Sequence, residues 1–192
     1  MKKPFSFDSV AKLYDFVMPK RKPVEFLGAL DAQENDRILE IGAGTGRIAK
    51  YYGDVTKDLT LLDPSLKMLE KSRELLPHGN RVVGVVENMH FQDESFNKIV
   101  SYDSFHHWQD HNQGLNEVYR TLDKNGKFYL IEVNPACKWG KVVKYAEKIM
   151  RMGSTFFPPN VLSEMVIDQG FKKPEFLRVG NNDMTYILVC EK

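Results

Sequence analysis

Cysteine is scarce in this chain of 192 residues: Cys137 and Cys190 stand far apart and form no C-x-x-C pair. That spacing points to neither a disulfide scaffold nor a zinc ribbon, and reduced thiols in a cytoplasmic protein are expected. Charge of one sign is lacking as well, with 27 Lys+Arg against 26 Asp+Glu and a formal net charge of +1. Without a global basic field, nucleic acid is not expected as a partner. No apolar run approaches the roughly 18–20 residues that cross a bilayer. Behind Met1-Lys2-Lys3-Pro4-Phe5 there is no apolar stretch, so no signal peptide is expected. Repeats and low-complexity tracts are missing. One domain over 1–192, its core drawn from 42% hydrophobic residues, suits this length.

What is present alternates. Short apolar runs and segments of helical period follow one another, the pattern of an α/β protein with a mainly parallel sheet. Strands are expected over 37–41, 59–62, 81–86, 98–102, 128–133 and 186–190. Helices are expected over 24–30, from near Thr45, from Pro64 and Ser65 to about Leu76, over 112–122 and over 158–169. Gly170 is placed to close the last of these.

Residues 134–157 break the alternation and read as a helical insert or lid. Trp139, Val142, Val143, Ala146, Ile149 and Met150 share a helical period, while Lys138, Lys141, Lys144, Lys148 and Arg151 take the opposite side with Glu147 as the only acid. One reading is a basic amphipathic helix over 138–151 that touches an anionic membrane surface or an acidic substrate. The plainer reading is a helix packed over the end of the sheet with solvated lysines.

The sharpest motif is Ile38-Leu39-Glu40-Ile41-Gly42-Ala43-Gly44-Thr45-Gly46-Arg47. A buried strand runs into three glycines at alternate positions, which allow a tight turn and close approach of backbone to a ligand. Asp63, about twenty residues on, falls where an acid grips a ribose diol. The third glycine comes one residue early for a dinucleotide loop, and the acid Glu40 disfavours a pyrophosphate but suits a cationic arm. A nucleoside with a positive amino-acid arm fits this spacing better than a nicotinamide dinucleotide.

Glu40-Ile41-Gly42-Ala43-Gly44-Thr45-Gly46 resembles motif I of the class I S-adenosylmethionine-dependent methyltransferases. The rest of the chain is similar to their ubiquinone/menaquinone-biosynthesis branch, methyltransferase type 11. The resemblance continues through 87–96, through Ser101-Tyr102-Asp103-Ser104-Phe105-His106-His107-Trp108, through 117–127 and through the segment 7–15. It implies a three-layer Rossmann-like fold: seven strands, mostly parallel, the last antiparallel, with helices on both faces. It also implies S-adenosylmethionine as cofactor, with residues 1–30 as a helical entrance segment. By position, Gly42, Gly44, Thr45 and Gly46 would pass under the methionine moiety. Asp63 would take the ribose hydroxyls, Pro64, Val85 and Val86 would border the adenine, and Tyr102 and Tyr14 would touch the cofactor. Val85 stands where the family places an acid or amide, so the adenine contact falls to Glu87 or is absent.

Methyl transfer from a sulfonium is an in-line displacement that needs alignment, a dry pocket and, for some nucleophiles, a base. His106 and His107 are the best-placed base candidates, with Tyr14, Asp103 and Glu132 behind them. The alternative is that both histidines only pack, His107 beside Trp108. His107 and His111 are four apart with Asp110 between, but they lie at a strand-to-helix junction and no metal is expected. Tyr14, Phe16, Trp108, Trp139, Phe156 and Phe157 would form the acceptor pocket. The leading reading is a methyltransferase for a small-molecule or lipid-like acceptor. The runner-up is a cofactor-binding regulatory relative with weak or no catalysis.

Overall fold

A computed structural model describes residues 23–150, 152–179 and 184–192. Tyr14, Phe16, the rest of the chain before residue 23, and Arg151 lie outside the described residues.

The described chain runs α1 (Val24–Leu30), β1 (Arg37–Ile41), a 3-10 turn (Ala49–Tyr51), β2 (Asp58–Asp63), α2 (Leu66–Ser72) and β3 (Asn80–Val83). A 3-10 turn (Val86–Asn88), β4 (Phe96–Tyr102), a further 3-10 turn (Phe105–His107), α3 (His111–Thr121) and β5 (Leu122–Val133) follow. The last elements are α4 (Lys138–Met150), α5 (Pro159–Asp168), β6 (Glu175–Arg178) and β7 (Thr185–Glu191). All seven strands form one sheet in the order β3-β2-β1-β4-β5-β7-β6. Pairings from β3 to β5 are parallel, and β7 runs antiparallel to β5 and β6. This is the three-layer fold that the resemblance implied.

The central strands are apolar at consecutive positions because helices cover both faces of the sheet. Leu39, Ile99, Phe128 and Leu130 face Leu115 and Val118 of α3 and Leu162 and Val166 of α5. Ile38, Val100, Tyr129 and Ile131 face Phe26 and Leu30 of α1 and Leu69 of α2. The helices begin where capping chemistry allows: Ser65 Oγ accepts the Met68 N–H at α2, and Asp110 accepts the Gln113 N–H at α3. β1 has β2 on one side and β4 on the other, so the order of connection reverses there. A crevice at the carboxyl ends of such strands is the binding position of open α/β sheets.

Several boundaries differ from the expected ones. No α-helix opens near Thr45; the chain makes turns and the 3-10 turn Ala49–Tyr51. Only a few residues separate Gly46 from Tyr51-Tyr52-Gly53, and aromatics and glycine propagate a helix poorly. β3 ends at Val83, opposite the last residue of β2, because nothing beyond Asp63 remains to pair with it. α2 stops at Ser72, and turns carry the chain to Leu76. β5 begins at Leu122, pairs there with Phe96, and resumes its ladder at Lys127 after Asn125 turns through a φ of 63°. β6 was not among the expected strands; it pairs only with β7, and its side chains are mostly exposed.

α4 does not turn its apolar line onto the sheet, as the plainer of the two readings of 138–151 expects. Gly140 and Glu147 face the protein, while Trp139, Val142, Tyr145 and Ile149 face outward. A Cβ on Gly140 would lie 1.9 Å from the Asn134 carbonyl oxygen, which fixes that face against the chain.

Candidate active site

The crevice at the ends of β1, β2 and β4 is a cavity lined, among the described residues, by sixteen side chains and backbone positions. Among them are Gly42, Gly44, Asp63, Pro64, Val85, Val86, Glu87 and His107, eight positions singled out in the sequence. Glu40, Thr45, Gly46, Tyr102 and His106 do not line it. The sequence reading missed Ile41, Leu62, Met68, Gly84, Ser104 and Gln109 as lining residues, and had Asp103 and Trp108 only as acceptor-side candidates.

Gly42, Gly44 and Gly46 all have left-handed backbone, at φ of 68°, 55° and 74°. Their reasons differ. A Cβ on Gly42 would lie 2.5 Å from Ser104 Cβ, whose hydroxyl donates to the Ile41 carbonyl at 2.9 Å. Ser104 thus laces β4 to β1, and the glycine makes room for it. Gly44 has open space on its side-chain face, toward the cavity. Gly42→Ala is expected to cost about 2–5 kcal/mol from overpacking and the left-handed backbone, read by urea denaturation. Adding Ser104→Gly should restore the packing share alone. A single variant costing under about 0.5 kcal/mol would remove close approach as the reason for this glycine.

Asp63 closes the other side of the loop. Its carboxylate accepts the Gly44 N–H at 2.8 Å and the Ser65 N–H at 2.8 Å, one on each oxygen. A carboxylate has about four acceptor positions, more than these two N–H groups use. Leu62, Met68, Val85 and Val86 give the cavity an apolar wall, continued by Trp108. An acid for a diol, an apolar slot for a purine and an open glycine backbone form a donor set that fits an adenosyl group.

Glu40 lies 2% exposed with its carboxylate accepting from the Tyr52 hydroxyl. Burial pushes its carboxyl up to about 7 against the opposing Tyr52 and Arg47 contacts. It stands behind the loop and does not line the cavity. Glu87 accepts the Gln109 N–H at 2.6 Å and the Asp110 N–H at 3.3 Å through the same oxygen, so it clasps the segment ahead of α3. Tyr102 packs edge-on against Phe26, with the Arg47 guanidinium 6.0 Å from its ring centre. Burial, and Asp103 next to it, push its hydroxyl up to about 12.

The two histidines are unlike. His106 is 3% exposed, its Nδ1 2.6 Å from Glu132 Oε2 and its ring stacked on Phe156 at 4.5 Å. Burial alone would lower its pKa; the Glu132 carboxylate, with Asp103 and Glu147 farther off, outweighs burial and raises it to about 9. His107 lines the cavity, and burial together with the His106 charge depresses its pKa to about 3. Its Nδ1 lies 3.1 Å from Ser154 Oγ, and the Thr155 N–H donates to the His106 carbonyl at 2.8 Å. Glu147 of α4 reaches within 3.7 Å of His106 Nε2. The segment after α4 is therefore docked on the histidine pair. His111 packs against Phe105 and Phe157, while one ligand atom each of His106, His107 and Glu147 falls within a 4.8 Å group. The trio's contacts within the protein are those of a hydrogen-bonded and ionic network.

Fold and crevice together define a class I nucleoside-binding α/β protein. Residues 39–130 match the family described as a methyltransferase domain. The Bacillus subtilis protein YrhH, named a methyltransferase, is 33% identical over 127 residues, 62% of this chain and 71% of that protein. A demethylmenaquinone methyltransferase of Thermotoga maritima is 28% identical over 141 residues, 67% of this chain and 60% of that one. Among solved structures, an S-adenosylmethionine-dependent methyltransferase of Thermotoga maritima superposes with a TM-score of 0.79 at 22% identity, covering 97% of this chain and 98% of the other. A Haloferax volcanii methyltransferase, solved with the Trm112 activator, gives 0.84 at 19% identity over 99% of each chain. The chain belongs to the S-adenosylmethionine-dependent methyltransferase family, and S-adenosylmethionine is its cofactor.

Proposed function

We propose that this chain moves a methyl group to a small-molecule or lipid-like acceptor by in-line displacement. The observation that carries the reading is the meeting of Asp63, the Gly44 backbone, the Val85–Val86 wall and His107 around one crevice. When bound, the cofactor supplies an electrophilic methyl on a sulfonium. The protein binds, aligns and dries. In this reading Gly42, Gly44, Thr45 and Gly46 support the amino-acid arm, with Glu40 behind them as a counter-charge. Asp63 takes the ribose hydroxyls. Pro64, Val85, Val86 and Glu87 border the adenine, and Tyr102, with Tyr14 from outside the described residues, would touch the cofactor. The chain acts as one unit, with 134–157 as the lid.

His107 is the histidine placed to meet an acceptor. His106 already holds its proton against Glu132 and positions its neighbour. A neutral imidazole with so low a pKa is a weak base, which favours an acceptor that needs orientation more than strong deprotonation. The lipid-like end of the range is supported by relatives named demethylmenaquinone methyltransferases. Among the described residues no helix is long and apolar enough to cross a membrane.

Calorimetric titration with S-adenosylmethionine, S-adenosylhomocysteine and NAD tests the cofactor half of this assignment. Micromolar binding of the first two without the third is expected, and binding of NAD alone would overturn it. Turnover on a reduced quinone or another lipid-like acceptor tests the rest. Binding without turnover on any acceptor would favour the regulatory relative that Val85 suggested. Full turnover by the His106→Ala, His107→Ala double variant would remove the histidines from the chemistry.

A further inference from the structure

We propose that the outward face of α4 docks this protein on an anionic lipid surface. Val142, Tyr145 and Ile149 recur at i, i+3 and i+7, so they form one line along the helix, and Trp139 stands beside it. These four are 53%, 67%, 65% and 63% exposed. Large apolar side chains scattered singly over a surface are ordinary, but four along one helix of 13 residues are not.

Charge selects the cover. Lys141, Lys144 and Lys148 repeat the same i, i+3, i+7 spacing along one flank, Lys138 stands at the start, and all four are exposed. The one acid of the helix, Glu147, is turned the other way, toward His106. The outward surface thus offers four cations and no carboxylate of its own helix. Anionic headgroups meet that flank while the apolar stripe enters the acyl boundary, where tryptophan and tyrosine are favoured. The helix, about 20 Å long, would lie in the plane of the surface.

The position suits the acceptor. α4 and the residues after it contact His106 and His107, and His107 lines the cavity. A surface held against α4 would bring an acceptor dissolved in it to the rim of the crevice. This extends the lipid-like reading of the acceptor, and vesicle binding is read without methyl transfer, so either can fail alone.

The test is co-sedimentation of the full chain with phosphatidylcholine vesicles, with and without phosphatidylglycerol, together with Trp139 emission. Binding to the anionic vesicles is expected, at least about tenfold tighter than to the neutral ones and weakening as salt rises. Ile149→Asp should abolish it, and each of Lys141→Ala and Lys144→Ala should weaken it about fivefold. All three variants should bind S-adenosylmethionine as the parent does, which separates lost docking from lost folding. Absence of vesicle binding, or equal binding to both compositions, would overturn the proposal. A dimer in light scattering that Ile149→Asp dissociates would give the face to a second copy. Iodide quenching of Trp139 no stronger than that of buried Trp108 in lipid-free protein would give it to residues 1–22.

Discussion

Asp63→Ala is expected to weaken S-adenosylmethionine binding about a hundredfold, measured by calorimetric titration where the variant is still folded. A hydrogen bond to a charged acceptor is worth about 1.5–3 kcal/mol, so losing the two ribose contacts proposed for Asp63 would reach that figure at the low end of the range. Preorganisation enlarges the effect. The Gly44 and Ser65 N–H groups, both at 2.8 Å, hold the carboxylate plane before any ligand arrives. The same two bonds tie the glycine loop to the end of β2, so alanine removes the ligand contact and loosens its platform together. Each N–H left without an acceptor costs about 1–3 kcal/mol of stability, and a fall in melting temperature should accompany the loss of affinity. Asp63→Asn separates the two effects. It keeps size and one acceptor oxygen but loses the charge, and about a tenfold weakening is expected. If Asp63→Ala binds as the parent does, the ribose is held elsewhere, and Glu87 and Asp103 are the other acids that line the cavity among the described residues.

Much of this site was legible because its chemistry is local in sequence. The strand, glycines and acid of 38–63 are consecutive, and the fold places Gly42, Gly44, Asp63 and Pro64 on one crevice. The family resemblance gave the seventh strand that periodicity missed, since the four exposed-leaning residues of β6 show no apolar alternation. Ser104 was not legible: a serine after a strand carries no signal until Gly42 is seen to make room for it. Glu132 was read only as a reserve base, although its partner lies 26 residues away and the pairing depends on β4 lying beside β5. The turn of α4 stayed open between two readings. Its period divides polar from apolar, but which side meets the protein is decided by Gly140 against Asn134 and by Glu147 reaching His106.

Glu132→Ala is expected to destabilise the protein by about 3–5 kcal/mol, a large share of the roughly 5–15 kcal/mol of a typical domain. Glu132 is buried and accepts the Phe105 N–H at 2.8 Å as well as His106 Nδ1–H at 2.6 Å. Alanine strands a buried imidazolium and a buried amide at once. The pH dependence identifies the charge. His106 rises from 6.5 unfolded to about 9 folded, so the folded state holds its proton more tightly. Its stabilisation is present in full below pH 6.5 and drains away as pH climbs through 9, by about 3 kcal/mol in all. His107 works in the opposite direction: its folded pKa of about 3 means stability is lost as pH falls below 6.5 toward 3. Glu40, raised from 4.5 to about 7, adds a loss of its own as pH rises between those values. Total stability therefore mixes several slopes, and the informative quantity is a difference. His106→Asn keeps a donor for Glu132 and cannot titrate, so parent minus variant should fall by about 3 kcal/mol between pH 6.5 and 9 in urea melts. A difference that stays flat across that window would mean that His106 folds uncharged, and the docking of the segment after α4 would then rest on packing and neutral hydrogen bonds.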